Sequence, residues 1–154
     1  MSSPAPGPPV EVRDAAWAPV LGYAVALDRK RFEDLALVFH PDLRADYAGA
    51  TFDAAAPVIE RMTRLHHHLA GSLHRLSNHR VLEVTADGIV AETYVDALLV
   101  GGDAVGGRTY RDVGRYVDLV VEHEGRWCLA ERRYHRLWRD GDVADLQPPG
   151  SETP

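Results

Sequence analysis

The sequence predicts an α+β fold, a small cone in which about three N-terminal helices close one side of a strongly curved antiparallel sheet. Two changes along the chain carry that expectation. As far as Gly71, apolar residues recur mostly at helical spacing. Beyond it the period shortens to two in four segments rich in Val, Leu and Tyr. The turns between those segments are short, and short turns build hairpins, not βαβ crossovers. Helices first and a curved sheet second is an α+β layout, and a curved sheet capped by helices leaves a cavity.

Taken in order, Asp14 is positioned to cap a first helix over 15–28, with Trp17, Val20, Leu21, Ala24 and Leu27 on its apolar stripe. A short second helix is expected over 32–39, ending before Pro41. LRADYA (43–48) reads as a short strand. Asp53 opens a third helix over 54–69, with Pro57 in its first turn and Gly71 closing it. The four long strands are HRVLEVTAD, GIVAETYVDALLV, RTYRDVGRYVDLVVE and RWCLAERRYHRLW, broken at Ala86-Asp87-Gly88, at the glycine-rich stretch 101–107, and at His123-Glu124-Gly125. Residues 1–12, dense in proline, and 139–154 offer little to bury and read as disordered tails, leaving one domain over 13–138.

At 154 residues and 45% hydrophobic the chain can bury one core. No apolar run is long enough for a membrane span, and the N-terminus lacks the basic and apolar regions of a secretory signal. The net charge of −6 argues against a nucleic-acid partner. A lone cysteine, Cys128, allows no internal disulfide and suits a reducing cytoplasm. Lys30 is the only lysine among 17 basic residues, a bias typical of GC-rich bacterial genomes.

No metal or cofactor is expected. Adjacent helical residues point about 100° apart, so His66, His67 and His68 do not converge on one ion. No HExxH pattern accompanies them, and no GK[ST] follows the glycines of 101–107, which suit a mobile hairpin tip at a pocket mouth.

In GYAVALDRKRFEDLALVF followed by PDLRADY, then SLHRLSNHRVLEV, then the hairpin GRTYRDVGRYVDLVVEHEGRWCLAERRY, the chain resembles the SnoaL-like branch of the NTF2-like superfamily. The likeness spans about 15–138. That family includes scytalone dehydratase, ketosteroid isomerase, bile-acid 7-dehydratase, limonene-epoxide hydrolase and polyketide cyclases. The resemblance implies catalytic roles for Asp28 and His74, a functional or oxyanion-stabilising role for Tyr23, a pocket role for Tyr47, and an acidic site residue at Asp96. There are departures. Gly114 and Tyr116 stand where the dehydratase has a serine and an asparagine, its second histidine has no counterpart in LLVGGDAVGG, and Tyr47 replaces the isomerase base.

The chemistry of these residues agrees with the resemblance. A carboxylate against an imidazole fixes its tautomer and lets it trade a proton near neutral pH. The alternative reading makes Asp28 a helix-end cap, His74 a loop histidine and Tyr23 a core tyrosine. Tyr23 and Asp28 lie about 140° apart on a helix, so both reach one cavity only if its wall wraps around that helix. Tyr94, Asp96 and Leu98 share one face of their strand, as do Asp112, Gly114, Tyr116 and Asp118 of the next; each face is either pocket or solvated surface. The expected catalytic set is Asp28, His74, Tyr23 and Asp96, with Tyr47, Tyr94 and Tyr116 binding substrate.

The expected function is cofactor-independent acid–base chemistry in bacterial specialised metabolism. The substrate would be an apolar polyketide-, terpenoid- or steroid-like small molecule, and the reaction dehydration, isomerisation or cyclisation, pericyclic closure included. The alternative is a non-catalytic binding or assembly module, which the same cone also supports. A homo-oligomer, most simply a dimer, is expected because Val and Leu occur on both sheet faces.

Overall fold

The computed structural model describes residues 6–151, and the outermost parts of both expected tails lie outside them. The α+β expectation holds. Three helices, α1 (Val10–Asp28), the one-turn α2 (Leu35–Val38) and α3 (Ala55–His67), pack on one side of a six-stranded mixed sheet. Its strands are β1 (Phe39–Tyr47), β2 (Ala50–Phe52), β3 (Leu69–Val84), β4 (Ile89–Gly101), β5 (Thr109–His123) and β6 (Arg126–Asp140), in the order β2-β1-β6-β5-β4-β3. All neighbours are antiparallel except β1 and β6.

Helix α1 begins five residues earlier than its apolar stripe predicts. It starts behind Pro9, not behind an Asp14 cap, because Pro9's fixed φ of −53° leads into the helix. Its inner stripe, Ala16, Val20, Tyr23 and Leu27, is at most 2% exposed. The second expected helix is only a 3-10 turn (Phe32–Asp34) and one α-helical turn, and the strand starts at Phe39. Pro41 therefore sits in a strand. The β1–β6 register slips between Phe39 and Arg44, where no ladder bond from its nitrogen is needed.

Helix α3 ends at His67, and Gly71 is a strand residue. Strand β3 consequently starts ten residues before the expected segment at His79, so that Leu69–Ser77 pair with the far half of β4. The β-meander of β3 to β6 follows the expected turns. The C-terminal segment also differs from expectation: β6 runs to Asp140 and a 3-10 turn (Val143–Leu146) follows, capped by the Asp142 carboxylate on the Ala144 N–H at 3.0 Å. Leu146 of that turn is fully buried, and Gln147 Nε2 donates to the Leu65 carbonyl at 3.3 Å. No described helix is long and apolar enough to cross a membrane.

Candidate active site

The concave face of the sheet and helices α1 and α3 line an open-mouthed cavity of about 130 Å³. Strand alternation decides what reaches it. The inward residues of β4 are Val95, Ala97 and Leu99; those of β5 are Tyr110, Asp112 and Tyr116; those of β6 are Tyr134 and Arg136. Helix α1 adds Tyr23, β1 adds Tyr47, α3 adds Met62, Leu65 and His66, and the C-terminal turn adds Val143.

His74 enters from β3, its side chain only 6% exposed. Its Nδ1 lies 2.7 Å from Asp28 Oδ1, its backbone N–H donates to Asp28 Oδ2 at 2.9 Å, and Ser72 Oγ donates to Oδ1 at 2.9 Å. Burial alone would raise the Asp28 carboxyl, but these donors, His74 foremost, hold it below the usual carboxylate range. An ionised Asp28 accepts the Nδ1–H, so the Nε2 edge of neutral His74 carries the lone pair on the cavity side. Asp28 is the last residue of α1 and lies behind His74, not in the cavity wall. That resolves the 140° offset from Tyr23: only Tyr23 needs to face the cavity.

Tyr23 is 2% exposed; its hydroxyl donates to the Met62 sulfur at 3.5 Å and neighbours the Tyr47 hydroxyl. Sulfur is a weak acceptor, so this phenol is cheaply redirected. Tyr47 Oη is buried beside the Tyr23 hydroxyl and the Arg132 guanidinium but meets neither in good hydrogen-bond geometry. Burial pushes the phenols of Tyr23, Tyr47 and Tyr116 above the ordinary range, so all three stay protonated as donors.

Asp96 and Tyr94 are corrections. Both point from β4 to the outer face, on the opposite side of the sheet from Val95 and Ala97, because alternation places even and odd residues on opposite faces. Asp96 is bound by Arg111 (2.8 and 2.7 Å) and Arg75 (3.2 Å), and Tyr94 is 46% exposed. The solvated-face reading of that strand is the right one.

Three groups of the site were given no site role from the sequence. The first is Arg132, whose side chain is fully buried and paired with Asp118 through two hydrogen bonds of 2.8 Å. Its guanidinium carbon sits 3.8 Å from the Tyr116 ring centroid and 4.6 Å from that of Tyr23. Burial works against its charge, but Asp118 outweighs it, and Nη1 has no partner among the described residues. The available signal was an Arg and an Asp facing each other across β5 and β6, legible only once the register is known. The second is His66, 4% exposed, with its ring centroid 5.6 Å from that of His74. The third is a rim at Asp112, which accepts from Tyr110 (2.6 Å), Tyr134 (2.6 Å) and Arg136 (2.9 and 2.8 Å). Those donors hold Asp112 below the carboxylate range against its burial, and burial lifts Tyr110 to about 12.

His67 and His68 are exposed, their rings edge-to-face with centroids 4.9 Å apart. Among the described residues no three His, Cys, Asp or Glu side chains gather as a metal site.

A partly buried carboxylate–imidazole pair beside a cavity lined by buried phenols is the arrangement a candidate small-molecule site needs. Residues 9–133 match the SnoaL-like domain family, and the chain belongs to that family, within the NTF2-like superfamily. Among solved structures it is similar to a proposed aromatic ring hydroxylase from Novosphingobium aromaticivorans (25% identity, 91% of this chain and 99% of that one, TM-score 0.81). It is also similar to a proposed scytalone dehydratase from the same organism (22% identity, 94% and 96%, TM-score 0.75). A third is a hexachlorocyclohexane dehydrochlorinase from Novosphingobium barchaimii (17% identity, 85% and 90%, TM-score 0.68). No curated protein matches the sequence.

Proposed function

We propose that this protein is a cofactor-independent acid–base enzyme that eliminates a leaving group, water in the first instance, from a small cyclic carbonyl compound. The observation that carries the reading is the Asp28–His74 pair, 2.7 Å apart, with His74 lining a cavity of mixed apolar and polar walls. His74 Nε2 takes the proton from the carbon beside the carbonyl, and Asp28 stabilises the imidazolium that forms. Tyr23 and Tyr47 donate to the carbonyl oxygen as negative charge develops on it, with the Arg132 cation behind the Tyr23 ring. The same histidine then returns its proton to the departing hydroxyl. The enolate electron pair forms the new double bond, and water leaves.

Cavity size narrows the substrate. At about 130 Å³ it matches the engineered cavities of about 150 Å³ that hold one benzene. A single six-membered ring fits within it, and a larger skeleton would extend through the open mouth. Family membership and the dehydratase and dehydrochlorinase named among the similar structures are in keeping with elimination.

The test does not require the natural substrate. Exchange of α-protons of six-membered cyclic ketones in heavy water, followed by NMR, reads proton abstraction directly. His74→Ala is expected to remove the enzymatic exchange while melting normally. Asp28→Asn is expected to lose about 10²–10⁴-fold, and the double variant no more than His74→Ala alone. Tyr23→Phe is expected to be milder. Equal exchange by wild type and His74→Ala across the panel would reject the proposal and favour a binding module.

A further inference from the structure

His66 sits on α3 in the cavity wall and is not part of the Asp28–His74 pair. Its Nδ1 lies 2.8 Å from the Met62 carbonyl oxygen, four residues back on the same helix. A carbonyl only accepts, so Nδ1 must carry the hydrogen. The neutral ring then has a single further function, a lone pair on Nε2. That atom is buried and has no partner among the described residues. A buried polar atom left unpaired is costly, and it is retained where something else satisfies it.

From this we infer that His66 Nε2 is a fixed hydrogen-bond acceptor for the molecule in the cavity, so that the site selects a ring bearing a hydroxyl or N–H donor over one of equal size without it. The inference rests on the proposed reading of the cavity as the substrate site, and it assigns His66 to recognition while His74 moves the proton. Desolvation keeps the ring unprotonated, lowering its pKa to about 4; Lys30, and His74 once it holds a proton, reinforce this against the Met62 carbonyl and Asp28. Being uncharged, His66 does not compete with His74 for a proton at neutral pH. It offers the same acceptor through the whole range in which His74 works. The two imidazoles, their centroids 5.6 Å apart, thus divide the work: one holds a donor group of the ring while the other acts on a carbon. A halogenated or purely hydrocarbon ring offers His66 nothing and leaves its lone pair buried and unpaired, which is a stronger penalty than a missing contact.

Phenol and toluene, similar in size and both small enough for the cavity, are the probes, with affinities measured by calorimetry at pH 7. Wild type is expected to favour phenol, and in His66→Leu that preference should fall about tenfold, the effect of losing one buried acceptor. In His74→Phe it should persist. Nitrogen-15 spectra supply an independent reading on unaltered protein, the His66 signals being identified by their loss in His66→Leu. They should show the Nδ1–H tautomer from pH 8 to pH 5, with phenol but not toluene shifting Nε2. If the preference disappears in His74→Phe and survives in His66→Leu, the inference fails and the proton-transfer reading stands. A His66 that carries its hydrogen on Nε2, or titrates near the ordinary 6.5, also overturns it. If neither probe binds, the inference and the reading of the cavity fail together.

Discussion

Buried ionisable side chains make this site sensitive to acid in a way that can be assigned residue by residue. His66 is held at about 4 in the folded chain against 6.5 when unfolded, so between those values the unfolded state binds the extra proton. Stability is then full above pH 6.5 and is lost as pH falls toward 4, by up to about 3 kcal/mol. Asp28, also lowered, acts in a separate window: its contribution is present above the ordinary carboxylate value and disappears only as pH falls through its depressed one. Urea midpoints taken from pH 7 to pH 4 should decline in wild type and stay flatter in His66→Leu; superimposable profiles would remove His66 as the cause. Asp28 and His74 were legible in the sequence because a carboxylate and an imidazole suggest their own chemistry and the family pattern places them. Arg132 and His66 were not. A buried arginine announces itself only through its partner, and the Asp118–Arg132 pairing depends on a register that shifts between Leu119 and Val120. His66 was hidden by its neighbours, since a run of three histidines invites a question about metal and not about which one points inward.

Elements were readable where burial is one-sided and misread where tertiary pairing overrides local preference. Strands β4 to β6 carry enough Val, Leu and Tyr to read as strands. In the first half of β3 burial does alternate, with Leu73 out and Leu76 in, but the apolar residues do not follow it, so period two is blurred among Ser, His, Arg and Asn. The β4 strand supplies the ladder that settles it. Gly114 has a specific reason: a Cβ there would lie 2.2 Å from the His135 carbonyl and 2.8 Å from the Tyr134 ring, so the serine of the dehydratases cannot enter without moving a cavity wall. The C-terminal turn was invisible because one buried leucine has no periodicity. Yet that turn brings Val143 to the cavity and Leu146 to the core beside Gly101. Leu146→Ala should therefore cost about 2–5 kcal/mol, read as a lower urea midpoint at unchanged slope. Removing only the residues after Gln147 should cost little. An unaffected Leu146→Ala would return the segment to the status of a dispensable tail.

At the scale of the molecule, the two faces of the sheet have different occupations, and the outer one is unaccounted for within a single chain. Helices cover the concave face. The outer face carries Leu73 on β3, Tyr94 on β4, and Leu137 and Trp138 on β6, exposed by 55, 46, 82 and 48%. Trp138 pairs across to Val113, and Val113 to Asp96, so these apolar groups flank the Arg75–Asp96–Arg111 ion network in adjoining rows. Exposed apolar groups on both sides of an already satisfied ion network leave surface that a second copy can cover, and a twofold contact is the simplest way to do it. Tyr94 and Asp96, expected in the cavity, would then serve association instead. We expect a homodimer, giving about twice the 17.0 kDa chain mass by light scattering at micromolar concentration. Leu137→Asp together with Trp138→Lys should halve that mass and leave the melting of the concave core and the α-proton exchange in place, since neither residue lines the cavity. A wild-type mass of one chain would refute the dimer. A double variant that stays dimeric would move the interface off this face and leave the patch without an assigned role.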